Sequence, residues 1–289
     1  MAARSDFESQ PGFVGSAQLA WRGPHALHQG ARVWSTTNSH LDVWIGLMGT
    51  LDLEPAPVLM PSLCADFEGD QWTQTRVATT DLWACYGIAV EELFVWRPLL
   101  AHLVEQLDRG NAVIVEVDAF HLPDMAGSSY QREHLKTQIA VTGYDRHAHR
   151  LRYLHGPVGA EVEGDDLDAL ITAGIGSAQL APFAQIVKLD RIAHRSSSER
   201  KQLAIALARF HATRIPGSNP VRRFGQALRS HGAWLEGGDA EHYQRWAFAT
   251  LQQCGASFEI GADVCSWLAQ HGEPVDAAVT PLRSVSHAA

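Results

Sequence analysis

Several features that mark a function class at first sight are missing from this chain. Its 289 residues hold only four cysteines, Cys64, Cys85, Cys254 and Cys265, with no CxxC pair. That spacing excludes a disulfide framework or a cysteine-built zinc site, and the four are expected as reduced thiols packed like small hydrophobes. No apolar run approaches the roughly 20 residues that span a bilayer, and the opening 1–13 has no apolar signal core. A cytoplasmic protein with no membrane partner is the expectation. Positive charge is short as well: 23 Lys and Arg stand against 32 Asp and Glu, a formal charge of −9. That balance argues against a nucleic-acid binder working through a basic surface. There is no low-complexity tract and no internal repeat, so the chain suits one large globular domain or two modest ones.

What is present alternates between strands and helices for two thirds of the length. Residues 1–33 are polar and Gly-rich and are expected to be irregular. Thr36, Thr37, Asn38 and Ser39 precede a periodic apolar segment (Leu41, Trp44, Ile45, Met48, Leu51), which predicts a helix over 39–51 starting at Asn38 or Ser39. A hydroxyl there either caps the helix or serves as a nucleophile, with free N–H groups and the helix dipole to steady an oxyanion. Prolines 55, 57 and 61 break the chain. Asp66, Glu68 and Asp70 then put three acids within five residues, beside Trp72. Without His or Cys at ligand spacing this cluster is a weak metal candidate, and it reads as a solvated turn or an amine counter-charge. A short strand over 71–77, a helix over 80–86, a strand over 88–95 and an amphipathic helix over 97–109 follow.

The central stretch runs from the β-branched strand 111–117, which ends on Asp118, through a polar loop 121–133 into a second strand, 134–144. There Leu135, Thr137, Ile139 and Val141 alternate against Lys136, Gln138, Ala140 and Thr142. A turn at 145–149 leads to a third strand, 150–155. His134 stands at a strand start beside a loop, where a general base is useful; the alternative is a core hairpin with an incidental surface histidine. His121, His147 and His149 are expected in solvent. A short strand near 160–162, a helix over 165–173 with acids in its first turn, and a strand over 185–189 complete this part. From the capping box Ser196-x-x-Glu199 onward only helices are expected, over 196–213, 220–235, 239–254 and 256–271, with the last 15 or so residues frayed. The expected organisation is an α+β domain over 20–195 and a helical region over 196–275.

AspPheGluGlyAspGlnTrp (66–72), TyrGlyIle (86–88), TrpArgProLeu (96–99), ValGluValAspAlaPhe-x-LeuProAsp (115–124), ArgGluHis-x-LysThr (132–137) and PheAlaThrLeu-x-GlnCysGlyAla (248–256) look like a bacterial family known only as a domain of unknown function. The resemblance runs from about 20 to 270. Members are often associated with stand-alone amino acid–carrier protein ligases, which load an amino acid onto a phosphopantetheine thiol. More remotely, Asp-x-x-x-LeuPro, loop, His, strand, GlyTyrAsp (118–145) is similar to butirosin-type acyltransferases. That likeness implies a papain-like, cysteine-peptidase-like antiparallel sheet with N-terminal helices, and aminoacyl transfer from a carrier-protein thioester to an amine.

Carried over by position, the resemblance implies Ser39 as nucleophile, His134 as base and His155 at the place of the orienting residue. Where it implies Cys after ThrAsn (37–38), this chain has Ser39. An orienting acid is absent at His155, and Asp118 or Asp145 is the substitute. The activity implied is an acyltransferase forming an amide or ester on a small-molecule acceptor in a specialised biosynthetic pathway. A thioesterase- or amidase-type hydrolase and a non-catalytic carrier-binding protein are the alternatives. Asp66, Glu68, Asp70, Trp72, Tyr130 and Lys136 are the substrate-binding candidates. No bound cofactor or metal is expected; the phosphopantetheine would arrive on the partner carrier protein, docked through Arg222, Arg223 and Arg229.

Overall fold

The computed structural model describes residues 12–29, 32–172, 180–193 and 195–289. The elements follow in chain order. Strand β1 is Phe13–Gly15 and helix α1 is Ser39–Thr50; β2 (Phe67–Glu68) and β3 (Gln71–Trp72) form a small hairpin. Then come α2 (Thr79–Tyr86), β4 (Ala89–Glu92), α3 (Leu99–Asp108) and β5 (Ala112–Asp118). A loop of short turns leads to β6 (Lys136–Asp145), β7 (Arg150–His155), β8 (Val158–Glu163), α4 (Gly164–Thr172) and β9 (Ala184–Lys188). The rest is helical: α5 (Ser197–Ala212), α6 (Pro220–Glu236), α7 (Ala240–Ala247), α8 (Gln253–Gln270) and α9 (Asp276–Ala288).

The protein is an α+β chain, and its contacts divide it into two compact units. The first takes the described residues of Met1–His25, Asp42–Glu54 and Tyr86–Ala193. Its sheet has the order β4-β9-β5-β6-β7-β8, every neighbouring pair antiparallel. β1 adds to β6 at Gly143–Asp145, beyond Val141, the last β6 residue to face β5. Residues 13–15, expected as irregular, are thus a strand; three residues are too few to show a period, and the far end of β6 supplies their partner. Residues 1–11, 30 and 31 of that irregular stretch, and Ala173 at the end of the helix expected over 165–173, lie outside the described residues.

The alternation expected in β6 is modified as well. Thr137 through Tyr144 are all buried, on both faces, because β6 is central and covered from both sides, while Leu135 just before it is exposed. On one face, α3 lays Leu99, Leu103 and Leu107, one turn apart and each almost fully buried, against a core with Val113, Val115, Ile139 and Val141. Each such leucine contributes about 1.5–3 kcal/mol by leaving water. The part of α1 in this unit meets the β7–β8 turn at close range: a Cβ at Gly46 would come within 2.8 Å of the Gly156 carbonyl oxygen.

The second unit gathers the described residues of Ala26–Leu41, Pro55–Cys85 and His194–Ala289. The helices expected from 196 onward are present, and Ser196 and Glu199 make the reciprocal capping box that the sequence predicts. The last 13 residues before Ala289 are not frayed but form α9, which packs along α8. Val285 and Ala289 reach the aromatic cluster of Phe67, Trp72, Phe224 and Phe258, and this apolar contact holds the terminus. The expected break between 254 and 256 is also absent. Gly255 lies inside α8, after a π-helical turn at Phe248–Gln252 that absorbs the register change.

Candidate functional site

The loop between β5 and β6 carries a dense set of polar contacts, and three carboxylates organise it. Asp118 ends β5 and caps the next 3₁₀ turn, Ala119–His121: its Oδ1 accepts the Phe120 N–H at 3.0 Å. That leaves Oδ2 for His134, whose Nδ1 lies 2.6 Å away. The His134 ring stacks on Phe120 with centroids 4.4 Å apart and planes 11° from parallel. Its side chain is 72% exposed. An imidazole tied to a carboxylate through Nδ1 has its tautomer and orientation set, so Nε2 is the nitrogen presented to a substrate proton. Burial pushes the Asp118 carboxyl up, but the hydrogen bonds from His134 and the Phe120 N–H outweigh it and hold the group below its ordinary value.

The second carboxylate makes a closed network. Asp124 Oδ2 pairs with His155 Nδ1 at 2.7 Å, Oδ1 accepts the Tyr153 hydroxyl at 2.5 Å, and His155 Nε2 meets Thr137 Oγ1 at 2.9 Å. Both nitrogens of His155 are thereby occupied, and the pair is nearly buried. Burial works against the Asp124 charge, yet the bonds from His155 and Tyr153 keep its pKa below the usual carboxylate value. Burial and Asp124 together push the Tyr153 phenol well above its own. This network ties the loop to β6 and β7. The acid that orients His134 is Asp118, and His155 belongs to a separate pair.

The third carboxylate, Asp166 in the first turn of α4, accepts the Tyr130 hydroxyl at 2.7 Å and faces His121 Nδ1 at 3.3 Å. Gln131 donates to the Tyr130 oxygen at 3.1 Å and adopts a left-handed φ of 52°, a strained conformation for a side-chain-bearing residue. His121 and His149, expected in solvent, both have partners: His149 bridges Tyr144 (2.7 Å) and Asp168 (3.0 Å). Lys136 reaches both Glu116 oxygens at 3.3 Å across the β5–β6 ladder.

The remaining candidates lie in the second unit. Ser39 is the first residue of α1, but Asn38 caps the helix by accepting the Leu41 N–H at 3.0 Å, so the Ser39 hydroxyl is not the cap. Asp66 forms an ion pair with Arg223, which also donates to the Phe67 carbonyl, so that arginine is already engaged. Glu68 and Asp70 are exposed around the β2–β3 turn, whereas Trp72 is 2% exposed inside the aromatic cluster. The site residues that sequence reasoning missed include Phe120, Asp124, Thr137, Tyr153 and Asp166. Phe120 and Asp124 left a signal in the 115–124 motif and Thr137 in the 132–137 motif, but none of the three was singled out.

Two family models together cover nearly all of the chain: the DUF1839 N-terminal domain matches residues 23–189 and the DUF1839 C-terminal domain matches residues 197–289. The chain belongs to the DUF1839 family. No curated protein matches it. The gap between the two matched segments, 190–196, contains the division of the compact units at 193/194, but the second unit also takes the described residues of Ala26–Leu41 and Pro55–Cys85 from within the N-terminal match. Among the described residues no helix is long and apolar enough to cross a membrane.

Proposed function

We propose that this protein is an acyltransferase that moves an aminoacyl group from a carrier-protein thioester to an amine or hydroxyl acceptor, with His134 as general base and Asp118 as its orienting acid. The observation that carries the reading is the His134–Asp118 dyad, with its 2.6 Å bond at Nδ1 and an exposed ring. In the proposed reaction Nε2 removes the acceptor's proton as its nitrogen or oxygen attacks the thioester carbonyl. The imidazolium then returns that proton to the departing thiol, and Asp118 steadies the charge in between. The buried Asp124–His155–Tyr153 network serves this role indirectly by holding the loop that carries the dyad.

A papain-like, cysteine-peptidase-like fold is part of the same proposal. An antiparallel sheet, an early helix opened by Ser39, and a histidine just before a central strand support it. Ser39, whose hydroxyl is not the helix cap because Asn38 fills that role, is the proposed nucleophile of the alternative route through an acyl-enzyme; in the direct attack written above it takes no covalent part. Tyr130 and Lys136 flank the dyad on the loop and strand and are the proposed acceptor contacts. Glu68 and Asp70 remain proposed for the donor ammonium, while Asp66 is neutralised by Arg223.

Mixing the protein with a panel of aminoacyl-loaded carrier proteins, followed by intact-mass spectrometry of both partners, tests the reading. Transfer requires the carrier to lose its aminoacyl group and a supplied amine to gain it, with His134→Ala inactive. A protein-bound intermediate that vanishes in Ser39→Ala identifies that hydroxyl as nucleophile. Release of the free amino acid instead indicates a hydrolase. Carriers that stay loaded but bind the folded protein support the non-catalytic alternative.

A further inference from the structure

The second unit contains a cavity of about 720 Å³ that the proposed function does not use, and every residue lining it belongs to this unit. Helices α5, α8 and α9 contribute most of the wall, helped by the 3₁₀ turn Met60–Cys64 and the chain joining α5 to α6. On α8 the lining residues Phe258, Gly261, Cys265 and Leu268 follow at helical spacing and so share one face. The space exists because the positions brought together are short. Ala208 on α5, Gly261 on α8 and Ala278 on α9 all line it, and none carries a side chain long enough to fill it.

The polar side chains of the lining already have partners within the protein. Ser62 Oγ donates to the Leu59 carbonyl at 2.8 Å, and Asn219 Oδ1 accepts the Arg222 N–H at 3.0 Å as the cap of α6. Arg209 and Glu273, the two charged residues of the lining, pair with each other at 3.7 Å. Burial raises the Cys265 pKa, so that residue stays a protonated thiol and packs as a small hydrophobe.

What remains for a ligand is hydrocarbon, from Ile205, Ile215, Leu268, Leu282 and Val285 among others. Ile215 is 53% exposed, apolar surface that an aliphatic ligand would take out of water. An acid or an amine would meet an opposite charge only by displacing one member of the Arg209–Glu273 pair. A polyol would give up its hydration for few new hydrogen bonds. A neutral hydrocarbon body gives up neither. The volume falls within the ~300–1,000 Å³ usual for small-molecule sites.

We propose that this cavity is a binding site for a neutral aliphatic molecule, whose hydrocarbon body lies against α5, α8 and α9. Binding is non-covalent and is driven by removing the chain and the cavity wall from water. The site uses second-unit residues only and stands or falls independently of His134 and of acyl transfer.

The test is to titrate the full chain, carrying ¹³C in its isoleucine δ1 methyl groups, with 1-hexanol, 1-heptanol and 1-octanol and to follow the methyl resonances. Saturable shifts are expected at Ile205 and Ile215, with Ile114 and Ile139 of the first-unit core unmoved. Affinity should rise about fourfold with each added CH₂. Octanoate and octylammonium should each bind more weakly than 1-octanol, and sorbitol should shift nothing. Gly261→Leu should weaken 1-octanol binding on the order of tenfold or more by filling the space. A Cβ at that position meets only Ser62 and Leu282 atoms, at 3.8–3.9 Å, and leucine is a better helix former than glycine, so this variant should fold. If circular dichroism shows it unfolded, the methyl map and the chain-length series of the wild type decide. No saturable binding, shifts that leave Ile205 and Ile215 unmoved, affinity independent of chain length, tighter binding of either ion, or unchanged binding in folded Gly261→Leu would overturn the proposal.

Discussion

The buried pair of Asp81 in α2 and His211 in α5, with Oδ2 and Nε2 2.7 Å apart, predicts an unusual dependence of stability on pH. Burial works to lower the His211 pKa, but the hydrogen bond to Asp81, foremost, raises it from 6.5 to about 9 in the folded chain. Folding therefore binds this proton more tightly than the unfolded chain does. At 1.36 kcal/mol per pKa unit the raised value contributes on the order of 3 kcal/mol. That contribution is whole below pH 6.5, where both states are protonated. It declines as pH rises toward 9, because the unfolded chain gives up its proton first, and it is gone above that. Asp81→Asn keeps the side-chain shape and removes the charge, so burial then favours a neutral ring. The substitution should cost about 3–5 kcal/mol near pH 6, as breaking a buried ion pair does, and clearly less near pH 9. Urea unfolding at half-unit steps from pH 6 to 9, read by tryptophan fluorescence and checked by circular dichroism, measures this. Parallel stability-versus-pH curves for wild type and Asp81→Asn would sink the reasoning, since His211 would then be neutral in the fold.

Other expected outcomes bear on the first unit. His134→Ala should lower the rate of aminoacyl transfer by about 10²- to 10⁴-fold in single-turnover assays with little change in melting temperature, because the ring is exposed. A fall in melting temperature comparable to a core mutation would mark a structural histidine instead. Asp124→Asn should destabilise by about 3–5 kcal/mol, because it leaves His155 and Tyr153 buried with a weakened partner. In the wild type the depressed Asp124 pKa contributes stability above the ordinary carboxylate range that is lost as pH falls through its folded value; acid titration of Asp124→Asn should lack that component. Gly46→Ala should cost about 1–3 kcal/mol in chemical denaturation, since its Cβ would press on the Gly156 carbonyl; a neutral result would mean α1 shifts freely. Trp72→Ala should cost about 3–5 kcal/mol if the residue is core, whereas a substrate platform would instead weaken binding with stability intact.

Local patterns placed most of the elements. The β-branched run ending at Asp118, the Leu99, Leu103 and Leu107 stripe, and the Ser196–Glu199 box each contain their own physical reason for forming, within a few residues of one another. The same locality explains the failures. β1 has three residues and exists only because β6 extends past β5; α9 is held by an aromatic cluster assembled from distant parts of the chain.

His134 as a candidate base was legible from its place before a strand, and Asp118 from its place at the end of another. That Asp118 is the acid bound to His134 follows from the antiparallel register of β5 and β6, which brings Asp118 opposite Lys136, two residues beyond His134. The sequence by itself determined most of the segments that are helix or strand, β1 and α9 excepted, because periodicity and capping act over neighbouring residues. Which carboxylate meets which histidine was decided by tertiary structure alone. Hydrogen bonds act over about 3 Å, and the sequence distances they close here run from 16 residues for Asp118 and His134 to 130 for Asp81 and His211.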